Sequence, residues 1–503
     1  MAKKILFIYP DFLEKTKNIR TFPGNYNEGL ASLSACLKQA GHQTVLYHQT
    51  FMPTREEFTA HIKQHAPDII AFTIRTTIME LVTEMLGWLD DDMPEIPVMC
   101  GGYHPTLAPE ATLMTRGIDM ICIGEGELAC VDLINSYDST GEFDLNTASF
   151  WFKLPDGNIK KNPIRPYVQD LDQIPFPDLD LYDFKSLSAS IRNTAEAIVS
   201  RGCLYSCTYC SNANMRNVYE DKKNYARFRS PENAIQLLET IIERVPHIKQ
   251  IDFNDAILNM YDEWFIPFME LYRARIGRKF TCNLRFDHLD EEMCKLLAES
   301  GCYKITIGLE NGNDEYRRKY LKRSMKNDHM IKISHLLKKY KISVVTYNLL
   351  GLPYETLDLS LETIKLNSKL HSDNVIVSIF YPYPGTELRN ISERGGFVRE
   401  NILPTDKVPL SLPDYPPHEV LFARYSFMKL IKRYRKIYEK YDEQTAQKKT
   451  DKLDRRLTSK FYPHALVYRQ RRYSHKMNIW TRTKVKRFFP GLYNYARDRK
   501  YKM

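Results

Sequence analysis

Residues 201–212 read RGCLYSCTYCSN, and the cysteines in this stretch, Cys203, Cys207 and Cys210, decide how the rest of the chain is read. Their C-x-x-x-C-x-x-C spacing puts three thiolates on one short loop, with Tyr209 before the last of them and the apolar AIVS of residues 197–200 just ahead of Gly202. Three thiolates this close grip one metal centre. A cubane iron–sulfur cluster takes four ligands, so a run that stops at three leaves one iron open to another molecule. Tetrahedral zinc would need a fourth protein ligand, and three unrelated buried thiols are the plain alternative.

Downstream of this loop the chain alternates strand and helix for some 200 residues. Ser230-Pro231 opens a helix as N-cap and first-turn residue, and ENAIQLLETIIERV repeats its apolar positions at helical spacing. The strands KQIDFND, FTCNLRFD, KITIGLE, ISVVTYNLLGLP and VIVSIFYPYPGTEL follow, with helices between them. This alternation predicts a parallel barrel, complete or partial, whose chemistry sits at the carboxyl ends of its strands. The cysteine run, Asn254-Asp255, Arg285 and Glu310 all fall at such ends.

Upstream, KILFIY (4–9), TVLYH (44–48), DIIAFTI (68–74), PVMCGG (97–102) and MICIG (120–124) read as strands separated by helical stretches. They predict a second unit, a doubly wound parallel sheet that binds its ligand at the strands' carboxyl ends. Those ends carry Thr73, Gly101, Gly102, His104, Gly124, Glu125 and Gly126. Gly124-x-Gly126-x-x-Ala129 mimics the dinucleotide fingerprint, but it follows the last strand of the unit and not the first, and Glu125 and Glu127 would repel a pyrophosphate. Residues 146–190 are rich in Pro and Asp; Leu154-Pro155-Asp156-Gly157 reads as a hairpin turn and the rest as an ordered linker.

The cysteine spacing and its tyrosine resemble the signature of the radical S-adenosylmethionine (SAM) superfamily. Residues 1–145, with GLASLSACLKQAGH, CGGYHPTLAPE and DMICIGEGE, resemble the cobalamin-binding domain of its cobalamin-dependent class, the group that includes the anaerobic Mg-protoporphyrin monomethyl ester cyclases. The N-x-R-x-D strand around Arg285, the segment Gly308-Leu309-Glu310-Asn311-Gly312, Lys322 and PYPGTEL (382–388) are similar to further segments of that class, with Asn311 where the class has serine. The resemblance implies an α/β architecture: a Rossmann-like cobalamin domain (1–145), a linker (146–190), a partial (β/α) radical SAM barrel (191–400) and a helical carboxyl-terminal region (401–503).

It further implies a [4Fe-4S] cluster on Cys203, Cys207 and Cys210, and SAM beside it, with Tyr209, Asn254, Asp255, Arg285 and Glu310 in contact. Cobalamin would lie at Thr73, Gly101, Gly102, His104, Gly124, Glu125 and Gly126. The D-x-H-x-x-G run that would replace the corrinoid's own base is absent, so His104 is not assigned as a lower cobalt ligand. The activity implied is reductive cleavage of SAM and methylation of an unactivated carbon of a small molecule, with a reductant such as flavodoxin or ferredoxin. Oxidative cyclisation or rearrangement is the near alternative. A methylthiotransferase would use Cys36, Cys100 and Cys130 for another cluster, and a cobalamin sensor or scaffold with an idle cluster site would be no enzyme at all.

No apolar run reaches the 18 or more residues of a spanning helix, and the first residues do not read as a signal peptide, so the expectation is a cytoplasmic protein. Ten cysteines without a regular framework fit a reducing compartment. Beyond residue 420 there are 25 Lys/Arg against 6 Asp/Glu, so the overall charge of +10 conceals a −9 in the first 420 residues. Aromatics interleave with this charge through Arg455-Arg456, Arg469 to Tyr473, Trp480 and Lys484 to Phe489. Such a mixture fits either an anionic membrane or nucleic-acid surface, or a helical lid packed on the barrel.

Overall fold

The computed structural model describes residues 2–12, 23–399, 402 and 407–488. Its first sheet places β1 (Lys4–Pro10), β2 (Gln43–Gln49), β3 (Ile69–Thr73), β4 (Val98–Gly101) and β5 (Met120–Cys122) parallel in the order β2-β1-β3-β4-β5. Alternate residues of β1 go to opposite faces: Leu6 and Ile8 join one apolar cluster, Ile5 and Phe7 the other. Helices therefore cover both sides. The hairpin of β6 (Phe150–Lys153) and β7 (Ile159–Lys161) adds antiparallel to β5, around a turn in which Gly157 takes φ +84°. The start of the Pro/Asp-rich stretch thus extends the first sheet. After it, Asp170, Asp178 and Asp183 cap successive 3-10 turns, and Asp172 accepts from the Ser230 N–H at 2.9 Å, lacing this stretch to the second unit.

The second sheet comprises β8 (Thr194–Ala197), β11 (Gln250–Phe253), β12 (Lys279–Leu284), β13 (Cys302–Glu310), β14 (Ser343–Leu350) and β15 (Asn374–Ile379). All are parallel, in the order β15-β14-β13-β12-β11-β8; a short antiparallel pair, β9 (Ser200–Arg201) with β10 (Arg227–Phe228), stands beside them. The barrel is partial, with β8 and β15 as open edges. Ile251, Phe253, Phe280, Ile305 and Ile307 are fully buried under the helices, while the register row Glu196, Asp252, Thr281 and Lys304 occupies the opposite face. The helix Pro231–Arg244 starts as its sequence requires, with Ser230 Oγ accepting from the Asn233 N–H at 3.2 Å. It buries Ile235, Leu237, Leu238 and Ile241, each worth about 1.5–3 kcal/mol relative to exposure.

Helix Pro417–Lys440 packs on helix Leu357–Lys369 and β15, burying Val420, Phe422, Phe427, Ile431 and Tyr434. Two further helices, Glu443–Leu457 and His464–Phe488, lie against it. Residues 417–488 therefore form a packed helical cover, and the basic side chains Arg469 and Lys476 are exposed. The side chains of Trp480 and of Lys484 to Phe489 lie outside the described residues. No described helix is long and apolar enough to cross a membrane.

Candidate active site

The cysteine loop leaves β9 at Gly202, whose φ of +84° and closeness to the Tyr225 carbonyl exclude any Cβ. Several bonds pin the loop. Leu388 N–H, within PYPGTEL, donates to the Thr208 carbonyl at 2.8 Å; the Thr208 hydroxyl donates to the Tyr320 carbonyl at 2.6 Å; and Arg216 donates to the Leu204 carbonyl and to Ser206 Oγ. Cys203 and Cys207 are buried and Cys210 half-buried. Burial raises the Cys203 thiol and pushes Cys210 up to about 11, against a backbone N–H of Asn212 that lowers it. Among the described residues the thiols form no group whose ligand atoms lie within 4.8 Å of one another. A tetrahedral zinc with bonds near 2.3 Å needs sulfurs about 3.8 Å apart, so the spread donor set fits the corners of a cubane better.

Beside Cys207 lies a buried polar cluster. Arg323 donates to Cys207 Sγ at 3.4 Å, to the Tyr209 hydroxyl at 3.3 Å and to the Gly308 carbonyl at 2.5 Å, while Tyr209 donates to Glu310 Oε1 at 3.0 Å. Burial raises the Glu310 carboxyl although Arg323 opposes it. Glu310 takes φ +67°, and a Cβ on Gly308 would strike its carboxylate, so this bend of β13 requires the glycine. Sequence reading placed Tyr209 and Glu310 here and missed Arg323. Its neighbour Lys322, which the resemblance points to, is turned outward to pair with Glu387 at 2.6 Å. The left-handed φ of Lys322 ends the preceding helix and swings the next residue inward, a detail that composition does not carry.

Arg285 stacks on the Tyr205 ring at 3.5 Å and pairs with both oxygens of Asp287, leaving its buried Nη1 without a partner. That free N–H suits a ligand carboxylate. Asp255 is buried, accepts from the Val199 N–H at 3.0 Å and from the Ser200 hydroxyl, and keeps Oδ2 without a partner. Its carboxyl is pushed up to about 6 by burial.

A cavity of about 380 Å³ opens between the carboxyl ends of the two sheets. From the first sheet come Thr73, Gly101, Gly102, Gly124, Glu125 and Gly126, and from the second unit Arg201, Asn212, Asn254 and Asp255. Seven of the residues expected at the cobalamin site line the first sheet's end; six line this cavity and His104 does not. Its ring is buried with Nδ1 3.2 Å from the Thr76 hydroxyl, and burial lowers its pKa, while the preceding Tyr103 lines the cavity instead. Glu125 and Glu127 are neutralised locally: Arg227 pairs with Glu125, and Arg201 with Glu127 and, at 3.6 Å, with Glu125. Glu28, absent from the sequence expectations, also lines the cavity, and burial together with the Asp255 charge pushes it up to about 8. The cavity reaches the cysteine loop directly. Asn212, two residues beyond Cys210, accepts a hydrogen bond from the Tyr103 hydroxyl at 3.3 Å.

Family comparison divides the chain at this cavity. Residues 25–134 match the B12 binding domain and residues 197–366 the radical SAM superfamily. The chain joins a B12 binding domain to a radical SAM domain. An uncharacterized methyltransferase of Pyrococcus horikoshii is 25% identical over 387 residues, covering 76% of this chain and 82% of that protein. The anaerobic magnesium-protoporphyrin IX monomethyl ester cyclase of Rubrivivax gelatinosus is 25% identical over 402 residues, covering 76% and 69%. The solved structure of the radical SAM methyltransferase TsrM from Kitasatospora setae, with cobalamin and a [4Fe-4S] cluster bound, shares the fold at a TM-score of 0.64 and 17% identity, covering 83% of each chain. The matched domains are those of cobalamin and radical SAM chemistry, and the residues present fit a [4Fe-4S] cluster, SAM and cobalamin. Three thiols stand on one loop, a buried arginine N–H and a carboxylate oxygen stand unpartnered near it, and Gly102 (φ +100°) keeps the first sheet's edge clear where a Cβ would lie 3.2 Å from the Ile74 carbonyl.

Proposed function

We propose that this enzyme methylates an unactivated carbon of a small molecule, with Cys203, Cys207 and Cys210 as the cluster ligands. Arg285 and Asp255 would hold SAM, and the inter-domain cavity would take part of the corrinoid. When bound, these cofactors supply a 5′-deoxyadenosyl radical from SAM and a methyl donor in methylcobalamin. The observation that carries the reading is the cavity's reach from the first sheet's edge to Asn212, beside the last cysteine. Such a reach supports corrinoid and cluster sites set against each other, as transfer between them requires.

The protein's own part is electrostatic and steric. Arg285 offers its spare N–H to a carboxylate, and Asp255 its free oxygen to an ammonium group, each already fixed by other bonds so that little ordering remains on binding. Arg323 holds positive charge against Cys207. Tyr209, bonded through its hydroxyl to Glu310 and Arg323, is an ordered wall for a planar group. A flavodoxin or ferredoxin as electron donor and a cytoplasmic setting belong to this proposal. An anionic partner for the tail rests on the exposed Arg469 and Lys476.

The thiotransferase reading loses its support, because Cys36, Cys100 and Cys130 belong to three separate packed clusters of the first unit. To test methyl transfer, anaerobic holoenzyme is given SAM with a deuterated methyl group. Label recovered on the corrinoid supports the methyltransferase; 5′-deoxyadenosine with an unlabelled corrinoid favours the cyclase reading.

A further inference from the structure

Outside the lining of the cavity, the helical cover brings together His418, Glu419 and His464, whose ligand atoms all lie within 4.8 Å of one another. Glu419 is in the first turn of helix Pro417–Lys440, and His464 begins the last helix. His464 is buried, its ring set against Phe422 at 4.9 Å and Tyr462 at 5.0 Å. Its Nε2–H donates to the Leu457 carbonyl at 2.7 Å. That bond uses one ring nitrogen as donor, and in the neutral ring it leaves Nδ1 as a lone pair facing Glu419 Oε1 at 3.8 Å. Two acceptors then face each other with nothing positive between them, and among the described residues no lysine or arginine pairs with Glu419. A direct charge-assisted hydrogen bond would close such a gap to about 2.7–2.9 Å. The ligand edge of a tetrahedral metal with bonds near 2.0–2.1 Å is about 3.3 Å, nearer to what is seen.

We propose that His418, Glu419 and His464 form a divalent transition-metal site, suited to zinc, that fastens the start of the last helix to the helix lying on the barrel. The donor set is one that zinc accepts with water as fourth ligand. The Nε2 bond to a backbone carbonyl is the supporting contact that metal-bound histidines use to fix their tautomer. His418 is exposed, which gives the ion a path in from solvent. The site shares no residue with the cavity or the cysteine loop and does not depend on the methyltransferase reading.

The test uses the anaerobic enzyme loaded with cluster and corrinoid, so that the cysteine thiols are occupied, freed of loose metal with EDTA. Zinc chloride is titrated in by calorimetry, and thermal unfolding is followed with and without it. The wild-type chain should take up a single zinc and gain Tm. His418→Ala, which removes an exposed side chain and leaves the packing intact, should weaken zinc by more than about tenfold, and Glu419→Gln should abolish both uptake and the Tm gain. Zinc affinity unchanged in both variants, or no uptake by the wild type, overturns the site. So does an equal Tm gain on mild acidification without zinc, lost in Glu419→Gln, which would mark His464 as an imidazolium paired to Glu419.

Discussion

Replacing Arg323 by Gln keeps a polar side chain in the buried cluster and removes its charge. The guanidinium bonds Cys207, Tyr209 and Gly308, and its Nη2 and Glu310 Oε1 both crowd the position that a Cβ on Gly308 would take. Charges about 5 Å apart at an effective dielectric near 20 attract by roughly 3 kcal/mol. Removing one partner of a buried pair also strands the other, a loss of about 3–5 kcal/mol in all. Arg323→Gln and Glu310→Gln should each lower the unfolding free energy by that order. The double variant, left with a neutral pair, should lose clearly less than the two together. Urea unfolding of the four anaerobic proteins measures the coupling. Single losses that add to within about 0.3–0.5 kcal/mol would refute the cluster as a coupled unit.

Three further outcomes follow from the site. Glu28 and Asp255 have folded pKa values of about 8 and about 6, above their usual range. The native state therefore binds more protons than the unfolded chain between about pH 4 and 8, and the cofactor-free protein should lose stability as pH rises through that window. Glu28→Gln should flatten the upper part of the profile in pH-dependent thermal unfolding. Gly102→Ala, which forces a side chain into φ +100° and toward the Ile74 carbonyl, should cut corrinoid retention measured by absorbance while iron content holds. Arg285→Lys loses both the stacking on Tyr205 and the forked pair with Asp287, so SAM affinity by equilibrium dialysis should fall about tenfold or more.

Much of the fold is legible because its signals are local. The apolar KILFIY, the Ser230-Pro231 helix start and the LPDG turn each fix their own element, and regular alternation supplies the parallel sheets. The cysteine loop is legible for the same reason. What sequence could not supply is which side chains turn inward at strand ends. Lys322 and Arg323 are both basic and adjacent, and only the left-handed residue between helix and loop sends Arg323 to the cysteines. His104 sits in the expected turn, yet the short helix Tyr103–Leu107 rotates it to Thr76 and gives Tyr103 the cavity. Glu28 and Arg201 enter the site through contact between two units distant in the chain, which no local pattern records.

The central claim is that Cys203, Cys207 and Cys210 hold the cluster that cleaves SAM beside a separately held corrinoid. It is tested most directly by Cys207→Ala, assayed anaerobically for iron, corrinoid and 5′-deoxyadenosine with dithionite as reductant. The account predicts that iron and 5′-deoxyadenosine are lost while corrinoid is retained. Formation of 5′-deoxyadenosine at the wild-type rate would contradict it.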